Sequence, residues 1–186
     1  MKKGLTFSHF PLKMRISKEY KKTLEEHHQS NPKWGTTAWR FIHSVETLTK
    51  NHFCFDGLDY GCGKGALVKG YKGQTRFTEY DPGIQGKDQL PQNQFDIVTC
   101  IDVLEHIEPA CVNDVLDEVI GKGKKVVFLV ISTRPAIEKL KDGRNAHLII
   151  EDAEWWLKKI RMRTDGAVME SFNNQELIVT IYKQKE

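Results

Sequence analysis

A glycine-rich turn directly after a short apolar segment constrains the fold more than any other feature of the chain. Residues 53–60 are predicted as a strand, which runs into a Gly-x-Gly-x-Gly turn at 61–65 before an apolar stretch at 66–68 begins a helix. Strand, glycine turn and helix in this order are typical of nucleotide-binding βα units. Because glycine lacks Cβ, the backbone of such a turn can approach a ligand closely. The pattern therefore predicts an α/β fold with a ligand site at the turn.

The rest of the chain alternates predicted strands with predicted helices. The further strands are expected at 75–80, 95–101, 124–132, 166–172 and 176–182. The helices are expected at 17–29, 34–50, 109–121 and 151–160. The apolar runs in 95–101 and 124–132 are typical of strands that are covered on both faces of a parallel sheet. We expect a Rossmann-like, doubly wound, mainly parallel sheet that ends in a C-terminal antiparallel hairpin.

The connection after the second core strand is short for a sheet of this kind. Only fourteen residues separate Asp81 from Asp96, and they include two prolines and two glycines. Proline and glycine interrupt both helices and strands. The third strand of the sheet and its helix are therefore expected to be reduced or absent.

Charge divides the chain into two parts. Residues 1–50 hold ten Lys and Arg against four Asp and Glu, whereas residues 51–186 hold eighteen against twenty-one. A basic segment can attract the phosphates of a nucleic acid, but glutamates at 19, 25 and 26 interrupt this one, which favours a solvated helix. We expect a helical basic N-terminal extension or lid at 1–50 and one core domain at 51–186.

The chain is expected to be cytoplasmic, without a membrane partner. Its longest apolar run, 126–131, has six residues, and a bilayer span needs about 20. The N-terminus lacks the apolar stretch of a secretory signal. The four cysteines form no Cys-x-x-Cys pair, so we expect reduced thiols.

The glycine turn alone does not distinguish between adenosine-containing ligands. Gly61 to Ala66 also fits the Gly-x-Gly-x-x-Gly/Ala pattern of dinucleotide sites, and Asp81 follows Gly61 by twenty residues, where a ribose-binding acid is expected. Spacing leaves NAD and other adenosine ligands open.

Three segments, 58–65, 80–82 and 95–107, resemble in order the class I S-adenosylmethionine-dependent methyltransferases. The resemblance covers most of 53–160. It implies that Asp59 and the glycines face the methionine and sulfonium end of S-adenosylmethionine, while Asp81 accepts hydrogen bonds from the ribose. A carboxylate at Asp59 attracts a sulfonium and repels a pyrophosphate, which favours this cofactor over NAD. The cofactor-binding residues predicted in this way are Asp59, Tyr60, Gly61, Cys62, Gly63, Gly65, Tyr80, Asp81, Cys100, Ile101 and Asp102.

An acid–histidine cluster follows the strand at 95–101. Asp102, Glu105 and His106 are spaced i, i+3 and i+4, which places them on one face if the turn is helical. With His147, they are similar to the Glu-x-x-Glu-His cluster of metal-dependent small-RNA 2′-O-methyltransferases and ubiquinone-pathway O-methyltransferases. This resemblance implies a divalent metal bound by Asp102, Glu105, His106 and His147, although Asp102 replaces a glutamate.

Two other roles for the cluster remain open. His106 or His147, with Glu105, can act in acid–base catalysis, because imidazole titrates near neutral pH. Alternatively, Glu105 and His106 only cap and orient the loop after the strand.

The resemblance implies transfer of a methyl group to an oxygen or nitrogen of an acceptor. A small-molecule acceptor is favoured, because residues 100–103 lack the [DN]-P-P-[YF] motif of amino-methylating DNA enzymes and the Pro-Cys of cytosine-C5 enzymes. The alternatives are an RNA-directed 2′-O-type methyltransferase, a nicotinamide-dependent oxidoreductase and a cofactor-binding protein without catalysis. The sequence leaves the acceptor and the oligomeric state open.

Overall fold

The computed structural model describes residues 14–173 and 175–184. The helices are α1 (Lys18–Ser30), α2 (Ile42–Asn51), α3 (Ala66–Gly70), α4 (Val112–Lys122) and α5 (Ala153–Arg161). The strands are β1 (Asp56–Tyr60), β2 (Arg76–Tyr80), β3 (Phe95–Ile101), β4 (Gly123–Ser132), β5 (Ala167–Phe172) and β6 (Glu176–Tyr182). Short 3-10 helices span Thr37–Phe41 and Leu104–His106. Among these residues, none of the helices combines the length and the apolar character that a membrane span requires.

The six strands form one sheet in the order β2-β1-β3-β4-β6-β5. The pairs β1–β2, β1–β3 and β3–β4 are parallel, whereas β6 runs antiparallel to both β4 and β5. This topology confirms the predicted doubly wound, mainly parallel sheet with a C-terminal antiparallel hairpin. Parallel strands end at the same edge of a sheet, so the carboxyl ends of β1 to β4 lie together.

The sheet ends at β2, as the short connection predicts. Residues 81–94 form turns and contain neither helix nor strand. The N–H of Asp81 donates to the carbonyl of Lys87 at 2.9 Å, which folds the segment back on itself. The third strand of the expected topology is therefore absent.

Helices cover both faces of the sheet. All seven residues of β3 are buried, because apolar side chains pack on each side of it. One face packs on α4 and α5, through residues such as Val115 and Trp156. The other face packs on α2 and α3, through Val45 and Leu67.

The helix α1 lies across the carboxyl ends of the strands. Its N-cap, Ser17, donates to the carboxylate of Glu108 from both N (2.7 Å) and Oγ (2.8 Å). The hydroxyl of Tyr20 donates to the carbonyl of His106 at 2.7 Å. Most of the predicted extension is thus ordered on the core, while residues 1–13 lie outside the described part of the chain.

Two helices differ from the expected bounds. The helix expected from Pro109 begins at Val112, because the N–H of Cys111 donates to the carbonyl of Glu108 at 2.8 Å and holds the preceding residues in a turn. That helix continues through Gly121 to Lys122. The helix expected at 34–50 is divided into a 3-10 helix and α2.

Candidate active site

A cavity of about 350 Å³ lies at the carboxyl ends of β1 to β4, beneath α1. The turns after β1 and β2 border one half of it, which includes Gly61 and Asp81. The ends of β3, β4 and β6 border the other half, which includes His106, His147 and Glu176. Open α/β sheets bind ligands at this edge, so the cavity is the candidate active site.

The glycine turn leaves no room for side chains. Gly61 has φ +73°, and a Cβ there would overlap the side chain of Val103. Gly63 has φ +51°, and a Cβ there would overlap the carbonyl of Gly35. Both residues also have the left-handed backbone that glycine adopts at little cost. The turn therefore presents bare backbone to the cavity.

Asp81 joins the end of β2 to the glycine turn. Its Oδ2 accepts a hydrogen bond from the N–H of Gly63 at 2.9 Å, and its Oδ1 accepts one from the N–H of Gly83 at 2.9 Å. Nε2 of His28, on α1, lies 3.7 Å from Oδ1. The buried carboxylate is thus fixed at the wall of the cavity by two backbone donors.

Asp59 lies behind the glycine turn and does not line the cavity. It is 2% exposed; Oδ1 accepts a hydrogen bond from the hydroxyl of Thr99 at 2.9 Å, and Oδ2 is buried with no partner among the described residues. Burial raises the pKa of Asp59 to about 7, and the Thr99 bond opposes that shift. The carboxyl group therefore holds its proton well above the ordinary range.

His106 and His147 stand edge to face in the other half of the cavity, with ring centroids 4.8 Å apart. Nδ1 of His106 lies 2.7 Å from the carbonyl of Ala146, and Nδ1 of His147 lies 2.5 Å from the carbonyl of Arg134. A carbonyl only accepts, so Nδ1 carries the proton in each ring and Nε2 carries a lone pair. Burial lowers the pKa of both rings, which keeps them neutral near pH 7.

Glu105 lies fully buried beside the two histidines. Its Oε1 accepts a hydrogen bond from the N–H of Ser132 at 2.9 Å, and its Oε2 has no partner among the described residues. Burial raises the pKa of this carboxyl group well above its ordinary value. One ligand atom each from Glu105, His106 and His147 lies within 4.8 Å of the others. Two imidazoles and one carboxylate are a donor set used for divalent transition metals, so these three residues fit a cation.

Asp102 is separated from this group. It follows β3 with φ +53°, and the 3-10 helix begins only at Leu104. The condition for one shared helical face, a helical turn that begins at Asp102, is therefore not met, because Asp102 has a left-handed backbone and lies outside the 3-10 helix. Asp102 lines the cavity, but it is not part of the group that fits a metal.

Some of the site residues that the sequence predicts line the cavity, and others lie behind its wall. The predicted residues that line it are Tyr60, Gly61, Gly63, Tyr80, Asp81, Asp102, His106 and His147. The predicted residues behind the wall are Asp59, Cys62, Gly65, Cys100, Ile101 and Glu105. The roles of both sets remain predictions.

The helix α1 supplies wall residues that the motifs did not identify. Tyr20, Leu24 and His28 line the cavity and lie on one face of α1 at i, i+4 and i+8. That spacing is visible in the sequence. Arg134, after β4, also lines the cavity, and no motif marks it.

A family model described as a methyltransferase domain matches residues 14–178. The chain belongs to this methyltransferase family. The match confirms the resemblance to class I S-adenosylmethionine-dependent methyltransferases that the motifs indicated. No curated protein sequence matches the chain significantly.

Solved methyltransferases have a similar fold. The 1,6-didemethyltoxoflavin-N1-methyltransferase of Burkholderia thailandensis, with 1,6-didemethyltoxoflavin and S-adenosylhomocysteine bound, matches 96% of this chain and 94% of its own (TM-score 0.63, 15% identity). DhpI in complex with SAH matches 92% of this chain and 100% of its own (TM-score 0.65, 15% identity). The N-methyltransferase NodS of Bradyrhizobium japonicum, in complex with S-adenosylhomocysteine, matches 89% of this chain and 99% of its own (TM-score 0.58, 16% identity). At 15–16% sequence identity, these structures show that the chain has the same fold as they do.

We predict that Asp59→Asn gains stability relative to the unchanged chain as the pH rises from 4 to 7. The pKa of Asp59 is about 7 in the folded chain and near 3.8 in the unfolded chain. Between these values only the folded state holds the proton, so the free energy of unfolding falls as the pH rises. Asparagine does not ionise, and its Oδ1 can still accept from Thr99. Urea unfolding should show a relative gain of roughly 2–4 kcal/mol.

The exposed Asp165→Asn is the matched control. It should show no such trend with pH. A difference between Asp59→Asn and the unchanged chain that stays constant from pH 4 to 8 would contradict the protonated Asp59.

Proposed function

We propose that this methyltransferase transfers the methyl group of S-adenosylmethionine to an oxygen or nitrogen of a small-molecule acceptor. One observation carries the proposal: a single cavity holds the glycine turn with Asp81 in one half and the imidazole pair in the other. The first half suits an adenosine ligand, and the second half suits the removal of a proton from an acceptor.

Asp81 retains capacity for the cofactor. A carboxylate offers about four acceptor positions, and the N–H groups of Gly63 and Gly83 occupy two of them. The ribose hydroxyls take the remaining two. The backbone of Gly61 and Gly63 lines the cavity, where the methionine part of the cofactor would lie along it.

Methyl transfer requires alignment and the removal of one proton. The acceptor atom attacks the methyl carbon in line with the C–S bond, which breaks with its electron pair going to sulfur. Because the sulfonium is already activated, the protein mainly positions the acceptor and accepts its proton. Nε2 of His147 is the base, since it carries a lone pair, whereas burial lowers the pKa of His106 to about 3 and makes that ring a weak base. Glu105 positions this half of the site through its bond from Ser132.

The size of the cavity supports a small acceptor. The helix α1 forms a part of its wall, and its volume of about 350 Å³ lies in the range of small-molecule sites. The Burkholderia enzyme of similar fold binds a small molecule, 1,6-didemethyltoxoflavin.

A divalent cation is a second candidate in the same half of the cavity. Glu105, His106 and His147 would hold it, and the unpartnered buried Oε2 of Glu105 favours this role. There the cation would polarise an acceptor hydroxyl and lower its pKa. Proton removal by the imidazoles remains our primary proposal.

Calorimetry tests the cofactor assignment. S-adenosylhomocysteine should bind the full chain, and NAD should not. Asp81→Ala should weaken the binding of S-adenosylhomocysteine at least tenfold. The substitution removes the carboxylate that accepts hydrogen bonds from the ribose, and it also removes the bond that holds the N–H of Gly63. The exposed Asp165→Ala should bind as the unchanged chain does. Binding of NAD without binding of S-adenosylhomocysteine would overturn the proposal.

Kinetics separates the two roles of the histidine pair. A general base contributes roughly 10²- to 10⁴-fold to the rate, so His147→Ala should lower kcat by about 10²-fold or more while S-adenosylhomocysteine still binds. The exposed His43→Ala is the control. Full activity after dialysis against EDTA, with no metal in the protein, would exclude the cation. Loss of activity that Mn²⁺ restores would contradict proton removal by the imidazoles alone.

A further inference from the structure

An arginine without an ionic partner lines the acceptor half of the cavity. Arg134 follows β4 by two residues and is partly buried. Its Nη1 donates to the carbonyl of Pro135 at 3.2 Å, and no carboxylate of the described residues forms an ion pair with it. A guanidinium carries five N–H donors, so most of this group is unused.

The other arginines of the cavity wall are neutralised. Arg15 pairs with Glu118 at 2.6 Å, and Arg40 makes two parallel bonds to Glu176 at 2.6 and 2.7 Å. Lys33 lines the rim, is exposed and has no ion pair among the described residues. Two cationic groups, Arg134 and Lys33, therefore remain uncompensated.

The acidic groups of the same wall have other neighbours than Arg134. Glu108 accepts both bonds from Ser17. Glu138 accepts a bond from Asn31 at 2.8 Å and lies 3.3 Å from Nε2 of His27. Asp102 is near Arg40, and its Oδ1 is buried with no partner among the described residues. None of them forms an ion pair with Arg134 among the described residues, so its guanidinium is free to pair with an anionic ligand.

We infer that Arg134 binds an anionic group, a carboxylate or a phosphate, of the acceptor, so that the substrates are small acids that carry a hydroxyl or an amine. The inference rests on the proposed function and specifies its substrate class. Planar guanidinium donors match both anions in bidentate geometry. Apolar side chains such as Leu24 and Val103 also line the cavity, so the body of the acid is apolar.

Arg134 links the anion to the base. Its main-chain carbonyl accepts the Nδ1 proton of His147, so its side chain and His147 are held by the same short segment after β4. An anion on the guanidinium would place the rest of the acceptor beside Nε2 of the histidines. Arg134 is therefore a specificity-determining residue, and substitution of its side chain leaves the carbonyl bond intact.

Three matched probes test the inference: 4-hydroxybenzoate, 4-hydroxyphenyl phosphate and the neutral 4-hydroxybenzamide. Each is titrated by calorimetry into the full chain saturated with S-adenosylhomocysteine, and its methylation is then measured with S-adenosylmethionine. At least one anion should bind tenfold or more tightly than the amide and should have the higher kcat/KM. The anion that does so distinguishes a carboxylate from a phosphate site.

Variants assign the preference to the side chain. Arg134→Gln should abolish the preference for the anion, because the KM for the anionic probe should rise about tenfold or more. Arg134→Lys should restore a part of the preference, because lysine returns the positive charge without the planar guanidinium. Arg76→Gln, an exposed arginine at the far end of β2, should behave as the unchanged chain. A merely structural role of Arg134 would lower the binding of all three probes alike.

Three results would overturn the inference. They are equal affinity for the anions and the amide, no binding of either anion, and an anion preference that survives Arg134→Gln. S-adenosylhomocysteine binding is measured first in the same experiment. Its absence would contradict the proposed function, whereas its presence without an Arg134-dependent anion preference would contradict only the substrate class.

Discussion

The bond between the carboxylate of Asp81 and the N–H of Gly63 organises the site. It joins the end of β2 to the turn after β1, and the second bond, from Gly83, directs the chain away from the sheet edge. The glycine turn also constrains where α1 can lie, because Gly63 packs directly on Gly35, which belongs to the segment that follows α1. The cofactor half and the roof of the cavity thus depend on one buried carboxylate.

The cavity combines buried groups that favour their neutral forms with a few charges that are fixed by hydrogen bonds. Burial raises the pKa of Asp59 and Glu105 and lowers that of His106. Asp81, held by two backbone donors, is an anion on the cofactor side, and Arg134 is a cation on the acceptor side. The guanidinium of Arg134, which has no ion-pair partner among the described residues, suits the anionic acceptor that we propose.

Local motifs predicted the parts of the fold and site that depend on neighbouring residues. The glycine turn, Asp81 and the missing third strand were visible because backbone conformation and short spacing determine them. Two features depend on contacts between distant segments and were not predicted: the burial of Asp59 behind the turn and the identity of the α1 side chains that line the cavity, although a helical lid was expected at 1–50. Asp102 has a left-handed backbone and lies outside the 3-10 helix that holds Glu105, so the shared helical face, which requires a continuous helix, does not form.

A crystal structure of the full chain with S-adenosylhomocysteine tests the central claim most directly. We predict that both ribose hydroxyls lie within hydrogen-bonding distance of Asp81, that the homocysteine part follows the glycine turn, and that sulfur faces the half of the cavity that holds His106 and His147. Adenosine bound elsewhere, or a sulfur atom directed away from the two imidazoles, would contradict the account.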